Sequence, residues 1–495
     1  MLSNLIEKLP LEDELSAISR PYFNHSVEFK NIFTAAERSK MLESVGLNVF
    51  QFPSEMVTGC DLLSDSGTTT MTNEQWAALH LGDEAYGSNK GYFMLMKQIG
   101  ATFGDGFGDN NSQEKSCSFI FHQGRPAEDA FFSIIGRLGK NLIIPSNGHF
   151  DTTRANIEAN GINALDLFSS ELKDEGSKSY FKGNMDTLKF EHLLKEHKNN
   201  IPLVYLTITN NTGGGQPVSM ENIRAVSEIS KKYGVSLFFD ACRFAENAWF
   251  IKQYESGYKN KKIEEIVREM FSYVDGFTIS FKKDGLANMG GGLFIKRNSA
   301  FLKKYPELSD SLVNHQILKE GHPTYGGLSG RDIMTLVVGL KTVTKEEYLK
   351  HRITQVQSLG LKMQKSGVPV LTPIGGHAVY LDINKFFSDT KMKPGDFGGI
   401  ALTAVLLAAY GHRACELGCF AFGKYDKIKN IETFPEINFV RFAIPRLRYE
   451  TQDIDAVAEA IKVLYDNRND IPAVEVTYGR ELSLRHFKAK FRFRK

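Results

Sequence analysis

Two lysines stand side by side, Lys282 and Lys283, where the apolar run Val274 to Ile279 ends in Ser280 and Phe281. A run of this kind reads as a buried strand. Asn288-Met289-Gly290-Gly291-Gly292 follows, then a second apolar piece, Leu293-Phe294-Ile295. An ammonium at the end of a central strand is costly to desolvate unless it has a task. Lysine is mostly exposed, so this stretch alone also fits a solvated pair on a hairpin.

The neighbouring elements favour a task. Leu203 to Thr209 is a β-rich run that leads into Asn210-Asn211-Thr212-Gly213-Gly214-Gly215. Ser219 is placed to cap a helix reaching Tyr233, with Gly234 as its stop. Met220, Ile223, Val226, Ile229 and Tyr233 share one face of that helix. The next strand, Val235 to Phe239, ends in Asp240-Ala241-Cys242-Arg243, and a helix from Ile263 to Phe271 precedes the lysine strand. Strand, helix, strand, helix, strand predicts an α/β fold with a largely parallel sheet. Ligands in such sheets bind at the carboxyl ends of the strands. Asn211, Asp240 and Lys283 all fall at those ends.

An acid ending one strand and, 43 residues later, a lysine ending another fit pyridoxal phosphate (PLP) chemistry. Asp240 would salt-bridge the pyridinium nitrogen, which makes the ring an electron sink. Lys283 would hold the aldehyde as an imine and, once displaced, serve as a general base. Asn211 and Arg243 could bond the phenolic oxygen of the ring. Arg441, in the alternating strand Val440 to Arg446, would take a substrate carboxylate with a bidentate geometry that lysine does not match. His122-Gln123-Gly124-Arg125 follows the apolar strand Ser118 to Phe121 and opens a helix, the pattern of a phosphate site. Phe150, after the short strand Leu142 to Ile144, could stack on a flat cofactor or simply be core. Asp61 to Thr69 reads as a strand running into a hydroxyl- and Gly-rich turn, which suits an anion or a cation held by carbonyls, or is an ordinary turn.

Further along, a helix is expected from Thr34 to Val45, another from Asn73, a surface loop over 102–116 and a long helix from Arg331 to Gln364. Residues 366–480 mix short strands and helices, as in a smaller C-terminal domain. Arg485 to Arg494 alternates, with Phe487, Ala489, Phe491 and Phe493 on one face and His486, Lys488, Lys490, Arg492 and Arg494 on the other. That pattern predicts a half-buried strand. The expected division is an N-terminal arm (1–60, part of the small domain), a large domain (61–330) and a small domain (331–495).

The 495 residues carry a net charge of +2, which gives no global field to draw nucleic acid or an anionic membrane. Ala401 to Tyr410 is the most apolar stretch, about ten residues against the roughly 20 of a membrane span, and reads as a core helix. Five cysteines lie scattered without metal spacing. They read as reduced thiols, and the first residues lack a long apolar segment. The expectation is a cytoplasmic protein without nucleic-acid or membrane partners.

Taken together, the motifs resemble the β-eliminating lyases, the fold-type I PLP enzymes that split tryptophan or tyrosine. They are DLLSDSGT (61–68), GDEAY (82–86), HQGR (122–125), FDTTR (150–154), NTGGGQPVS (211–219), FDACR (239–243), SFKKD (280–284), PTYGGLSGRD (323–332), PIGGHAVYLD (373–382), VRFAIPR (440–446) and LRHF (484–487). They run in family order over nearly the whole chain. The resemblance implies an aspartate-aminotransferase-like fold with a large mostly parallel-sheet domain and a smaller α/β C-terminal domain. It makes Lys283 the imine lysine, with Ser280, Lys282, Gln123, Gly124 and Arg125 around the phosphate and Phe150 on the ring. Ser66 and Arg441 become substrate-binding positions. Gly67, Glu84 and Asn288 match a potassium site shared between subunits, a set of hard oxygen ligands. Tyr86 matches a proton donor supplied by the neighbouring subunit of a homotetramer built from catalytic dimers.

Three positions resemble the tryptophan-cleaving members: Asp151, His486 and Leu417, where the tyrosine-cleaving members carry Thr, Phe and Arg. An indole N–H is a donor and needs an acceptor such as Asp151 or a histidine nitrogen. The expected reaction is β-elimination of tryptophan to indole, pyruvate and ammonia. The alternative is tyrosine or another β-substituted amino acid. His322 and Cys415 depart from the family pattern; His322 is either a structural histidine or a substrate-pocket residue.

Overall fold

The computed structural model describes residues 20–494, apart from 24–25, 109–115, 173 and 175–176. The expectation for the first residues of the chain lies outside this range. Seven strands form the main sheet: β1 (Ser118–Phe121), β2 (Ile143–Ser146), β3 (Asn163–Asp166), β4 (Leu203–Thr207), β5 (Ser236–Asp240), β6 (Gly276–Ser280) and β7 (Gly291–Ile295). Their order is β1-β7-β6-β5-β4-β2-β3. All neighbours from β3 to β6 pair parallel, and β7 runs antiparallel between β6 and β1. The sheet is therefore α/β and mostly parallel, as expected. Strands β4 to β7 are buried on both faces, which is why they read as continuous apolar runs.

The helix Met220–Tyr233 returns the chain from β4 to β5. The Ser219 hydroxyl accepts from the Asn222 N–H, and Gly234 ends the helix in the left-handed region at φ 68°. A residue with a Cβ is disfavoured in that conformation, and glycine is not. Met220, Ile223 and Val226 are buried on the sheet. The next crossover is made by Phe244–Tyr254 and Ile263–Ser272.

A second, antiparallel sheet contains β8 (Ala378–Asp382), β9 (Cys415–Leu417) and, after the hairpin of β10 (Lys424–Asp426) and β11 (Ile431–Thr433), β12 (Phe439–Ala443), in the order β8-β12-β9. Its apolar core gathers Leu42 to Leu62 with residues from Val356 onward. The helix Glu346–Lys365 serves both cores: Tyr348, Leu349 and Ile353 pack in the first, Val356, Leu359 and Met363 in the second. The helix Gly398–Tyr410 is buried in the second core, as its composition predicts. Among the described residues no helix is long and apolar enough to cross a membrane.

Four expectations change. Residues 331–364 form two helices, Gly330–Thr342 and Glu346–Lys365. The break begins within the β-branched run Thr342-Val343-Thr344, which is a weak helix former. Asp61 makes only an isolated bridge to Arg413 instead of opening a strand. Arg485–Phe487 is a 3₁₀ turn, and the strand is only Lys490–Phe493. Arg485 and His486 are buried there, so alternation with a solvated His486 does not hold. In the supposed surface loop, Thr102 and Phe103 finish the helix Lys90–Phe103 and Phe107 is buried; residues 109–115 are not described.

Candidate active site

The carboxyl ends of β4, β5 and β6 open onto one cavity of about 240 Å³. Asn211, Asp240, Ser280, Lys282 and Lys283 line it from the sheet. Gln123, Gly124 and Arg125 reach it from the start of the helix Gly124–Ile135, and Phe150 from the start of the helix Asp151–Ala159. Ser66 enters from the Asp61–Thr69 segment and Arg441 from β12. Residues from distant parts of the chain thus line one cavity.

The donor set of this cavity is incomplete in an informative way. Asp240 is buried, and its Oδ1 accepts from the Cys242 N–H at 3.3 Å. Among the described residues no cationic side chain pairs with it. Arg441 is also buried, donates Nη2 to the Leu63 carbonyl at 3.1 Å and leaves Nε without a partner. Among the described residues no carboxylate pairs with it. Buried charges are ordinarily paired, so Asp240 calls for a cation or N–H donor and Arg441 for an anion. Arg125, Lys282 and Lys283 make no ion pair among the described residues. No side chain caps the Gly124–Ile135 helix beside them, so its first N–H groups suit an anion. Burial lowers the Lys282 ammonium from its usual range, and the neighbouring charges of Lys283 and Arg125 add to this. A pyridine nitrogen at Asp240, a phosphate at Arg125 and Lys282, and a carboxylate at Arg441 match these groups one by one.

Asn211 accepts at Oδ1 from the Tyr380 hydroxyl at 2.7 Å, and His377 Nε2 lies 3.1 Å from the same oxygen. Among the described residues its amide NH₂ has no hydrogen-bond partner, so it suits a ligand oxygen. Arg243 lines the cavity too, but its guanidinium is engaged by Asp65 at 2.8 and 3.2 Å. Asp65 belongs to a buried network. Arg446 donates to Asp65 (2.9 Å), Glu246 (2.7 Å) and Asp284 (2.8 Å), and Arg352 donates to Glu246 at 3.1 Å. Burial alone would raise the Asp65 carboxyl, but Arg243 and Arg446 hold it well below the usual carboxylate range. Burial keeps the adjacent His377 neutral, well below its ordinary pKa.

Glu128 was not legible as a site residue, yet it lines the cavity. Burial, and then the charge of Asp240, pushes its carboxyl up to about 8, and it accepts from the Thr153 hydroxyl at 2.7 Å. Its signal was its place one turn beyond Arg125. Cys242 and Thr209 also line the wall, and the Thr209 hydroxyl is buried without a partner.

Beyond Phe150 lies a small apolar niche walled by Tyr380, Leu417, Phe422, Ile437 and Phe439. Asp151 lines a neighbouring cavity of about 690 Å³ together with Phe422, Ile437 and Phe439. His486 Nε2 is 3.8 Å from Asp151 Oδ2, so the two are close without a hydrogen bond, and His486 Nδ1 is buried without a partner. Burial lowers the His486 pKa, with Asp151 acting against it.

The remaining expected residues lie outside the cavity of their own chain. Tyr86 is 75% exposed and packs edge-on against His322 and Tyr325, each at 5.7 Å. His322 Nδ1 accepts from the Thr324 N–H at 3.3 Å and lies 2.8 Å from its hydroxyl. Gly67 and Asn288 do meet: Asn288 Nδ2 donates to the carbonyls of Gly67 (3.1 Å) and Thr69 (3.2 Å). Gly67 stands at φ 73°, and a Cβ there would fall 2.6 Å from Lys282 Cε. Glu84 pairs with Arg331.

Residues 61–460 match the family model described as "Beta-eliminating lyase". A tryptophanase of Hyphomonas neptunium is 39% identical over 477 residues, 96% of this chain and 99% of that one. A tyrosine phenol-lyase of Fusobacterium nucleatum is 39% identical over 479 residues, 96% and 98% of the two chains. Among solved structures, a threonine aldolase of Leishmania major superposes with a TM-score of 0.53 at 15% identity, over 82% of this chain and 99% of that one. This last likeness concerns the fold alone.

Proposed function

The chain belongs to the β-eliminating lyase family, and we propose that it cleaves L-tryptophan with water to indole, pyruvate and ammonia, using pyridoxal phosphate carried by Lys283. The observation that carries this reading is the convergence on one cavity of buried Asp240 and buried Arg441, neither ion-paired among the described residues, with the Arg125–Lys282–Lys283 cluster. When bound, the cofactor would supply an electron sink for the carbon that bears the amino group.

The residues of the chain do the rest. Arg125, Lys282 and the helix N-terminus with Gln123 and Gly124 hold the phosphate. Phe150 would stack on the ring, Asp240 would bond the ring nitrogen and the Asn211 NH₂ the ring oxygen, with Arg243 and Ser280 in the same wall. Arg441, with Ser66 nearby, fixes the substrate carboxylate and so sets which Cα bond faces Lys283. Lys283 Nζ then takes the Cα proton.

Leu417 and the apolar niche receive the aromatic ring of the substrate, with Asp151 and His486 at its polar edge. An indole N–H finds an acceptor there, and an apolar Leu417 offers nothing to a phenol oxygen. The second reading is tyrosine cleavage, because relatives at the same identity carry both names.

The exposed position of Tyr86 agrees with service to a second copy, in a homotetramer of catalytic dimers. Leu81, Met289, Ile317 and Leu318 are exposed apolar side chains as well. In that assembly Tyr86 protonates the leaving ring carbon, and His322 lies beside it at the pocket. Gly67 and Asn288, joined by Glu84 of a second copy, would hold potassium. Lys283→Ala should abolish turnover, whereas turnover at the wild-type rate would contradict the reading.

A further inference from the structure

One cysteine stands apart from the other four. Cys242 lines the central cavity, whereas Cys60, Cys117, Cys415 and Cys419 are buried elsewhere. The Cys242 sulfur accepts from the Ser280 N–H at 3.3 Å and lies 3.9 Å from Lys283 Nζ. Its backbone N–H donates to Asp240 Oδ1. Cys242 therefore connects the ends of β5 and β6 and touches both groups on which the proposed chemistry depends. Among the described residues Lys283 makes no ion pair, so this sulfur is the polar side chain against its amine.

We propose that Cys242 is a positioning residue for Lys283: its sulfur holds the amine in place beside Asp240 whenever the amine is not bonded to the cofactor. A carboxylate at this position would lock the amine as an ion-paired ammonium. A thiol is only a weak hydrogen-bonding partner, so it orients the amine and lets it leave. Burial raises the thiol above its ordinary pKa, with the Asp240 charge adding to it, and the group stays neutral. The inference rests on the reading that Lys283 carries the cofactor.

The test uses the full-length Cys242→Ala and Cys242→Ser proteins. The first readout is the rate at which cofactor-free protein binds added pyridoxal phosphate as an imine, followed by visible absorbance. The second is the split of steady-state kinetics into kcat and KM. Losing one weak hydrogen bond should slow both imine formation and kcat by about threefold to tenfold, with KM for the amino acid unchanged. Cys242→Ser should fall between wild type and Cys242→Ala. Should the alanine protein fail to fold, the near-isosteric serine protein carries the same comparison. Wild-type rates of imine formation and turnover in the substituted proteins would overturn the proposal, as would a rise in KM alone. Borohydride reduction of the loaded wild-type protein and peptide mapping separate the two claims. Label on a residue other than Lys283 removes the premise and the proposal with it. Label on Lys283, with unaltered Cys242→Ala kinetics, removes only the role of Cys242.

Discussion

Arg243 grips Asp65 through two hydrogen bonds, 2.8 and 3.2 Å long, in the wall of the cavity that holds Lys283. Arg243 follows β5 of the large sheet, and Asp65 belongs to a segment that also meets the second core at Leu62. Arg446, just past β12, binds the same carboxylate. The three side chains tie together parts of the chain that each contribute to the site. Asp65→Asn would leave two buried guanidinium groups short of charge, and removing one partner of a buried pair costs about 3–5 kcal/mol. Chemical denaturation should show a loss of that order. A change within experimental error would mean that the network does not hold the cores together.

Arg441 presents a buried guanidinium that no carboxylate among the described residues pairs with. Arg441→Lys keeps the charge and loses the fork. A charge-assisted hydrogen bond contributes about 1.5–3 kcal/mol, so kcat/KM should fall on the order of tenfold to a hundredfold. The loss should be absent for binding of the cofactor alone, measured by absorbance titration. Equal losses in both would place Arg441 at the cofactor instead of the substrate.

Glu128 gives the cofactor-free protein a pH dependence. Its carboxyl, raised to about 8 from an ordinary 4.5, keeps its proton in the folded state over a window in which the unfolded chain has lost it. The folded state then binds more protons, so stability falls as pH rises through that window and levels off above it. In Glu128→Gln this contribution is gone. The fall in unfolding free energy between pH 5 and pH 8 should therefore be smaller in the variant than in the wild type. An identical fall in both would show that Glu128 titrates normally.

The sequence showed the strand ends clearly and the long-range network not at all. Asn211, Asp240 and Lys283 were legible because parallel strands buried on both faces read as apolar runs, and polar residues at their ends stand out. Ser219 and Gly234 marked one helix to the residue, because capping is a local property. The antiparallel direction of β7 was hidden, since apolar periodicity carries no direction. So was the Asp65–Arg243–Arg446 cluster, whose members are brought together only by tertiary packing. His486 was misplaced on a solvated face because the alternation around it continues past the actual start of the strand at Lys490. Tyr86 and Glu84 are site residues by resemblance alone, and in the single chain both are exposed and neither lines the cavity of Lys283.

Product analysis addresses the central claim most directly. The purified protein, with pyridoxal phosphate and potassium, is incubated separately with tryptophan and tyrosine, and indole, phenol and pyruvate are measured. The account predicts indole and pyruvate in equal amounts from tryptophan and no phenol from tyrosine. Phenol from tyrosine without indole from tryptophan would contradict the roles given to Leu417, Asp151 and His486. No pyruvate from either amino acid would contradict the account of both substrates.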